Sequence, residues 1–202
     1  DAGRKAKEAV DKARKKIARV LGAKEREIVF TSSATESNNL AILGIAKAAS
    51  NKKNKASGIK GHIITTKADH HSVLEPIKQL EKQGFEMTYL PVNKEGLIEL
   101  KNLENALRPE TFLISIIYAN NEIGSVQPLK KISKLIKEFK NYRFSSPNSH
   151  FPYFHTDAAQ AAAYLDINVN NLGVDLMTLS SSKIHGPKGI AALHIRRGTE
   201  IE

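Results

Sequence analysis

The sequence predicts an α/β fold in which a mainly parallel sheet is flanked by helices. Short apolar segments alternate with amphipathic segments of about a dozen residues, a pattern typical of βαβ units and of parallel sheets. The chain has 202 residues, of which 41% are apolar, so it is long enough to bury a core without cross-links. It contains no cysteine, which excludes disulfides, cysteine-bound metal and a cysteine nucleophile within these residues.

Periodicity and end signals predict each element in turn. The first helix carries apolar residues such as Val10 and Ile17 on one face and ends at Gly22, a residue that suits a helix C-terminus. A second helix opens at the small-residue turn Ser32–Glu36 and runs to about Ala49. The later helices are Ser72–Gln83, Leu100–Leu107 and Leu129–Phe139, and the polar segments Ser50–Gly61 and Asn141–Pro152 are surface loops. The strands are Glu27–Thr31, His62–Thr66, Phe85–Val92, Phe112–Tyr118, Tyr153–Thr156, Asp175–Leu179 and Ile190–Arg196.

Clusters of polar residues follow several of the predicted strands. They are Ser32–Glu36, Asp69–His71, Asn120–Glu122, Asp157–Gln160 and Ser180–Lys183. Ligands of open parallel sheets bind beyond the carboxyl ends of the strands. The clusters are therefore expected to share one edge of the sheet and to form one site.

Some of these residues suit catalysis or ligand binding, although each also has an ordinary structural explanation. Ser33–Thr35 can bind an anion at a helix N-terminus, or can simply form an N-cap with Glu36 in the first turn. His70 can stack on a planar ligand, or can be a loop histidine with a single hydrogen bond. Asp157 is a carboxylate at a buried strand end, or a cap for the following turn. Lys183 can be partly desolvated and form a Schiff base, or can be a surface lysine.

Other classes of function receive little support. The nucleotide-binding patterns G-x-x-x-x-G-K-[ST] and G-x-G-x-x-G after a strand are absent. His70 and His71 are adjacent rather than spaced as metal ligands, so no metal site is predicted. The formal charge of +10 is spread along the chain with few aromatic residues between the cations, which favours a solvated surface over nucleic-acid recognition. No apolar run is long enough to span a membrane, and we expect a cytoplasmic protein.

Read together, the polar clusters lie within a series of motifs that occur in a fixed order. The motifs are TSSATESNNL at 31–40, DH at 69–70, NNEIG at 120–124, HTDAAQ at 155–160 and SKIHGPKG at 182–189. This series resembles the NifS/IscS-type cysteine desulfurases, which are enzymes of the class V aminotransferase superfamily that depend on pyridoxal 5'-phosphate (PLP). The resemblance covers the whole chain and implies the large domain of a fold-type I PLP transferase.

The resemblance also implies a role for each matching residue. Lys183 would form the Schiff base with the cofactor and move protons at the substrate α-carbon, and Asp157 would pair with the pyridinium nitrogen. His70 would stack on the ring and shuttle a proton. Asn121 would contact the ring hydroxyl region or the substrate, and Gln160 would bond the phenolate oxygen. Ala34, Thr35, Ser180 and Ser182 would cradle the phosphate, although the family has histidine where this chain has Ser182.

The family's activity gives an expectation for the complete protein. It would be a homodimer that converts L-cysteine to L-alanine and passes the sulfur, as a persulfide, to an iron–sulfur scaffold or a tRNA-thiolation protein. We expect residues 1–202 to be a single PLP-binding large domain, without the family's N-terminal segment and without the small C-terminal domain that carries the sulfur-accepting cysteine. Two alternatives stay open: another class V activity, such as a selenocysteine lyase or an aminotransferase, and a non-catalytic basic binding module on the same fold.

Overall fold

A seven-stranded sheet with helices on both faces forms the centre of the protein. The computed structural model describes residues 1–51, 60–143 and 151–202. The strands are β1 Ile28–Thr31, β2 His62–Thr66, β3 Glu86–Leu90, β4 Thr111–Ser115, β5 Tyr153–Asp157, β6 Leu176–Ser180 and β7 Ala191–Ile195. The helices are α1 Ala2–Leu21, α2 Ala34–Asn51, α3 His71–Lys82, α4 Leu100–Ala106, α5 Leu129–Arg143 and α6 Val169–Leu172.

The direction of the strands confirms the predicted α/β class with a mainly parallel sheet. The order across the sheet is β1-β7-β6-β5-β4-β2-β3. The pairs β3–β2, β2–β4, β4–β5 and β5–β6 are parallel, whereas β7 is antiparallel to both β6 and β1. Because β7 reverses direction against each neighbour, β1 runs in the same direction as β6. Its carboxyl end therefore lies at the same edge of the sheet as the ends of the parallel strands.

Alternation of side chains along each strand builds a core on either face of the sheet. On β4, Leu113 packs against the helices α2 and α3, whereas its neighbour Ile114 packs on the face covered by α1, α4, α5 and α6. Tyr153 and Phe154 divide in the same way on β5. The central strands are buried on both sides because side chains of successive residues point to opposite faces.

The observed elements differ from the predicted ones mainly at their ends. Strand β4 ends at Ser115, before the predicted Tyr118, but the N–H of Tyr118 still donates to the carbonyl of Asp157 at 2.9 Å. The short helix α6 was not predicted; Asn168 caps its start and Gly173, with φ 69°, ends it. The predicted loop segments 50–61 and 141–152 lie largely outside the described residues.

Within the described residues, no helix is both long and apolar enough to cross a bilayer. The same part of the chain holds no group of at least three histidine or acidic residues arranged to bind a metal ion.

Candidate functional site

A cavity of about 240 Å³ lies at the edge of the sheet where the carboxyl ends of β1, β2, β4, β5 and β6 meet. Nearly all the residues predicted from the sequence line it: Ala34, Thr35, His70, Asn121, Asp157, Gln160, Ser180 and Lys183. Ser182 does not line the cavity, but its Oγ lies 3.2 Å from Oγ of Ser180. Separate polar clusters of the sequence thus converge on one space, as the topology requires.

The N-terminus of α2 supplies the side of the cavity that can bind an anion. Ser33 caps this helix, because its Oγ accepts a hydrogen bond from the N–H of Glu36 at 3.1 Å. The Glu36 carboxylate accepts from the N–H of Ser32 at 2.7 Å and from its hydroxyl at 2.5 Å, and these bonds lower the pKa of Glu36. The first N–H groups of a helix have no partner inside it, and here they belong to Ala34 and Thr35, which line the cavity.

Asp157 is a buried carboxylate at the end of β5. Its Oδ1 accepts from the N–H of Ala159 at 2.9 Å, and its Oδ2 accepts from Nδ2 of Asn38 at 2.7 Å. Burial raises the pKa of Asp157, while these hydrogen bonds and the nearby His70 oppose that rise. A carboxylate held in this way beside a cavity is suited to a cationic partner, which would relieve its loss of solvation.

His70 lies on the loop between β2 and α3 and serves as the N-cap of α3. Its Nδ1 accepts from the N–H of Ser72 at 3.1 Å and lies 2.8 Å from Oγ of Ser72. The ring therefore has a fixed attachment on one side and lines the cavity. The sequence predicted α3 from Ser72, and the helix instead starts at His71 because His70 provides the cap.

The neighbouring Asp69 shapes the loop that carries His70. Its Oδ2 accepts from the N–H and the hydroxyl of Thr66, at 3.1 and 2.7 Å, and from the hydroxyl of Thr65 at 3.2 Å. Burial raises the pKa of Asp69 to about 7. These bonds fold the loop back on the end of β2 and so fix the position of His70, the next residue in the loop.

The loop after β4 brings Asn121 to the cavity. Asn120 accepts from the N–H groups of Glu122 and Ile123 through Oδ1, at 2.8 and 3.0 Å, and donates from Nδ2 to the carbonyl of Ala68 at 2.9 Å. Asn120 therefore closes its own turn and ties it to the His70 loop, which directs the turn that contains Asn121 toward the cavity.

Lys183 ends the one-turn helix Ser181–Lys183 that follows β6. The residue lines the cavity and is exposed, so the partial burial considered from the sequence is not observed. The following turn folds back, with the N–H of Gly186 donating to the carbonyl of Ser181 at 2.9 Å. A Cβ at Gly186 would clash with the Ser181 side chain, so this close return requires glycine.

Sequence reasoning missed two polar residues that connect parts of the site, Asn38 and Ser72. Asn38 lies on α2 and is fully buried, and its Nδ2 donates to Asp157 and, at 2.8 Å, to Oγ of Ser72. The available signal was an asparagine on the helical face that also carries Ala41, Ile42 and Ile45. A buried amide on an apolar face implies a specific hydrogen-bond partner.

Comparison with known families identifies the class of protein. Residues 1–201 match the aminotransferase class-V family. The chain belongs to this family, whose members depend on PLP, and the predicted cofactor class is thereby confirmed.

Individual relatives and solved structures narrow the resemblance further. The chain is 50% identical over 199 residues to a cysteine desulfurase IscS of Dictyoglomus turgidum, covering 98% of this chain and 46% of that protein. A solved structure described as SspA in complex with cysteine shares 42% identity at a TM-score of 0.86, with 99% of this chain and 53% of that chain covered. A NifS-like protein gives 37% identity and a TM-score of 0.88 over 100% of this chain and 51% of its own. The chain thus spans about half the length of these proteins, and the predicted resemblance to NifS/IscS-type cysteine desulfurases is confirmed.

Proposed function

We propose that residues 1–202 form the cofactor-binding part of a PLP-dependent cysteine desulfurase. The observation that carries this proposal is the single cavity that joins a lysine, a buried carboxylate, an imidazole and a helix N-terminus. The complete enzyme would convert L-cysteine to L-alanine and transfer the sulfur as a persulfide. Relatives that bear the name cysteine desulfurase support this choice of reaction within the family.

The chemistry of the cavity fits PLP group by group. The N–H groups at the start of α2, at Ala34 and Thr35, with the hydroxyl of Ser180, suit a phosphate. The carboxylate of Asp157 suits a protonated pyridine nitrogen. Burial raises its pKa in spite of its hydrogen bonds and the nearby His70, and a cationic ring nitrogen would favour the charged form. His70 can stack on the ring. Asn121 and Gln160 offer amides to the ring oxygen or the substrate, and Ser182 acts through Ser180.

When bound, PLP supplies an electron sink for the negative charge that develops at the substrate α-carbon. Asp157 would hold the proton on the pyridine nitrogen, which keeps that sink effective. The Nζ atom of Lys183 would hold the cofactor covalently and, once released by the substrate, would take the proton from the α-carbon and return it. His70 would move a proton at the cysteine sulfur or at the adjacent carbon. Since this chain has no cysteine, the thiolate that receives the sulfur would come from another part of the protein.

The remaining expectations concern the complete protein. We propose that it acts as a homodimer and that its acceptor is an iron–sulfur scaffold or a tRNA-thiolation protein. The cytoplasmic location stays a prediction. Cell fractionation and affinity purification of the full-length protein test these points.

Replacement of Lys183 tests the proposed function directly. In the full-length protein that contains this chain, Lys183→Ala should abolish the visible Schiff-base absorbance and the cofactor that borohydride fixes to the protein. Lys134→Ala is the matched control, because Lys134 is an exposed lysine on α5 whose ammonium lies 3.9 Å from Glu138, away from the cavity. Absorbance and peptide mapping after reduction provide the measurement.

A chromophore that borohydride still fixes in Lys183→Ala would refute the proposed role of Lys183. Alanine release from selenocysteine but not from cysteine would favour the selenocysteine lyase. Failure of the wild-type protein to bind PLP, together with salt-sensitive binding of RNA, would favour the basic binding module.

A further inference from the structure

Two buried side chains connect Asp157 to His70, and neither has a part in the proposed chemistry. Nδ2 of Asn38 donates one hydrogen bond to Oδ2 of Asp157 at 2.7 Å and another to Oγ of Ser72 at 2.8 Å. Oγ of Ser72 in turn lies 2.8 Å from Nδ1 of His70. We propose that Asn38 and Ser72 are positioning residues, which hold His70 in one tautomer through a hydrogen-bond chain anchored on Asp157.

The direction of each hydrogen bond in this chain follows from its neighbours. The amide of Asn38 must point its NH₂ group at Asp157, because the opposite orientation would set its oxygen against a carboxylate oxygen. Both amide hydrogens are then used, and the oxygen of Ser72 accepts one of them. With that bond accepted, the hydroxyl proton of Ser72 is available for donation to Nδ1 of His70, which lies 2.8 Å from Oγ.

The backbone adds a second donor to the same ring nitrogen. The N–H of Ser72 points at Nδ1 of His70 from 3.1 Å. With two donors directed at it, Nδ1 must be unprotonated in the neutral ring, and the proton resides on Nε2. Nε2 is then the N–H donor that the ring can offer to a bound group.

The position of Asn38 in the core supports this role. The residue is fully buried on α2, whose buried face includes Ala41, Ile42 and Ile45, so packing alone favours an apolar side chain there. Its Oδ1 has no hydrogen-bond partner among the described residues, and an unpaired buried acceptor is destabilising. An asparagine at this position therefore fits a role in donating these two hydrogen bonds better than a role in stabilising the core.

The inference rests on the proposed function for what the His70 ring contacts, but the tautomer is a property of the protein without cofactor. It can be measured by NMR on full-length, cofactor-free protein with ¹⁵N-labelled histidine, well above the ordinary histidine pKa of about 6.5. His70→Gln assigns the His70 signals. We expect the wild-type ring to carry its proton on Nε2.

Two variants remove different members of the hydrogen-bond chain between Asp157 and His70. Ser72→Ala removes the hydroxyl and leaves only the backbone N–H as a donor to Nδ1. The tautomer with the proton on Nδ1 should then gain population, which shifts the two ring nitrogen resonances of His70 toward each other. Asn38→Leu should shift them in the same direction, because Ser72 loses the donor that orients its hydroxyl, although the hydrogen bonds of Asn38 go to Ser72 and Asp157. Ser72→Thr retains a hydroxyl and should restore the wild-type signals.

Ser115→Ala is the matched control, because Oγ of Ser115 lies at the same 2.8 Å from Nδ1 of another histidine, His155. It should move the His155 resonances and leave those of His70 in place.

A wild-type His70 protonated on Nδ1 would overturn the proposal, as would unchanged His70 signals in Ser72→Ala. If Asn38→Leu folds and leaves His70 unchanged, Asn38 has no positioning role. Failure of the wild-type protein to bind PLP would refute the proposed function, but it would not change the His70 tautomer measured in the cofactor-free protein.

Discussion

Several residues of the cavity also terminate an element of secondary structure. Ser33 caps α2, His70 caps α3, and Asp157 accepts a hydrogen bond from the turn that follows β5. The structural and functional explanations of these side chains, which the sequence left as alternatives, are therefore compatible. The physical reason is that helix N-termini and strand ends meet at the carboxyl edge of a parallel sheet, where caps and ligands need the same donors and acceptors.

At the residue scale, Asp157 should contribute strongly to cofactor affinity. Asp157→Asn removes the charge that would bind the protonated ring nitrogen, and a hydrogen bond to a charged group contributes about 1.5–3 kcal/mol. We expect PLP to bind roughly tenfold to a hundredfold more weakly, by equilibrium titration of the full-length protein. Asp11→Asn, on the exposed surface of α1, is the control. Equal PLP affinity of Asp157→Asn and wild type would exclude the proposed ion pair.

At the scale of elements, α2 connects the cavity to the core. Its first turn lines the cavity, and its buried residues pack with α3 on one face of the sheet. Hydrogen bonds at its N-terminus fix the start of the helix. The hydroxyl oxygens of Thr31 and Ser37 lie 2.7 Å apart, and Oγ of Ser33 accepts a hydrogen bond from the N–H of Glu36. The first turns of α2 are thus attached to β1, and the apolar residues further along the helix pack in the core.

Removal of the α2 cap should lower stability by a measurable amount. Ser33→Ala leaves the N–H of Glu36 without its acceptor, and loss of a serine cap costs about 1 kcal/mol. Ser50→Ala, near the other end of the helix, removes only a hydroxyl that bonds back to the carbonyl of Ala46 and should change stability by less than about 0.5 kcal/mol. Urea unfolding of the full-length protein compares the two. A larger loss in Ser50→Ala would contradict the capping role of Ser33.

At the scale of the whole molecule, three histidines among residues 1–51, 60–143 and 151–202 are buried within the sheet. Burial lowers the pKa of His62 and His194 to about 4 and that of His155 to about 3, from 6.5. His155 is held between Ser115 and Thr178, and His62 between Thr111 and Thr88. The fold therefore requires these rings to be neutral.

Stability should fall with acidification because of these histidines. Below pH 6.5 the unfolded chain gains protons that the folded chain binds only near pH 3 to 4, so folding loses free energy as pH drops through this window. Each such proton is worth about 1.4 kcal/mol per pH unit. Asp69, with its pKa raised to about 7, opposes the trend because its stabilising effect is lost as pH rises from 3.8 toward 7. Asp157, whose pKa burial also raises, opposes the trend in the same way. The three histidines still outnumber these two buried carboxyl groups, so the net effect of acidification is a loss of stability.

Thermal unfolding of the full-length protein between pH 4.5 and 7 measures this dependence, with the window set by the same pKa shifts. His155→Asn should reduce the slope, whereas His71→Gln, at the exposed start of α3, should leave it unchanged. A transition temperature independent of pH in the wild-type protein would show that the buried histidines do not control acid stability.

The sequence by itself determined the α/β class, the strands and longer helices to within a few residues, and the family resemblance. Periodicity and motifs could do so because they depend only on residues close together in the sequence. The roles assigned to Lys183, Asp157 and His70 stay predictions.

The sequence also predicted that the polar clusters share one edge of the sheet, but only the tertiary structure decided which strand order and which side-chain contacts bring them together. The reversal of β7 between β1 and β6 sets the N-terminus of α2 at the same edge as Asp157, although more than a hundred residues separate them. The Asn38–Ser72 connection could not be predicted from local sequence, because each hydrogen bond joins side chains from different elements. Contacts of this kind depend on the packing of α2 against α3 and β5, which only the completed fold specifies.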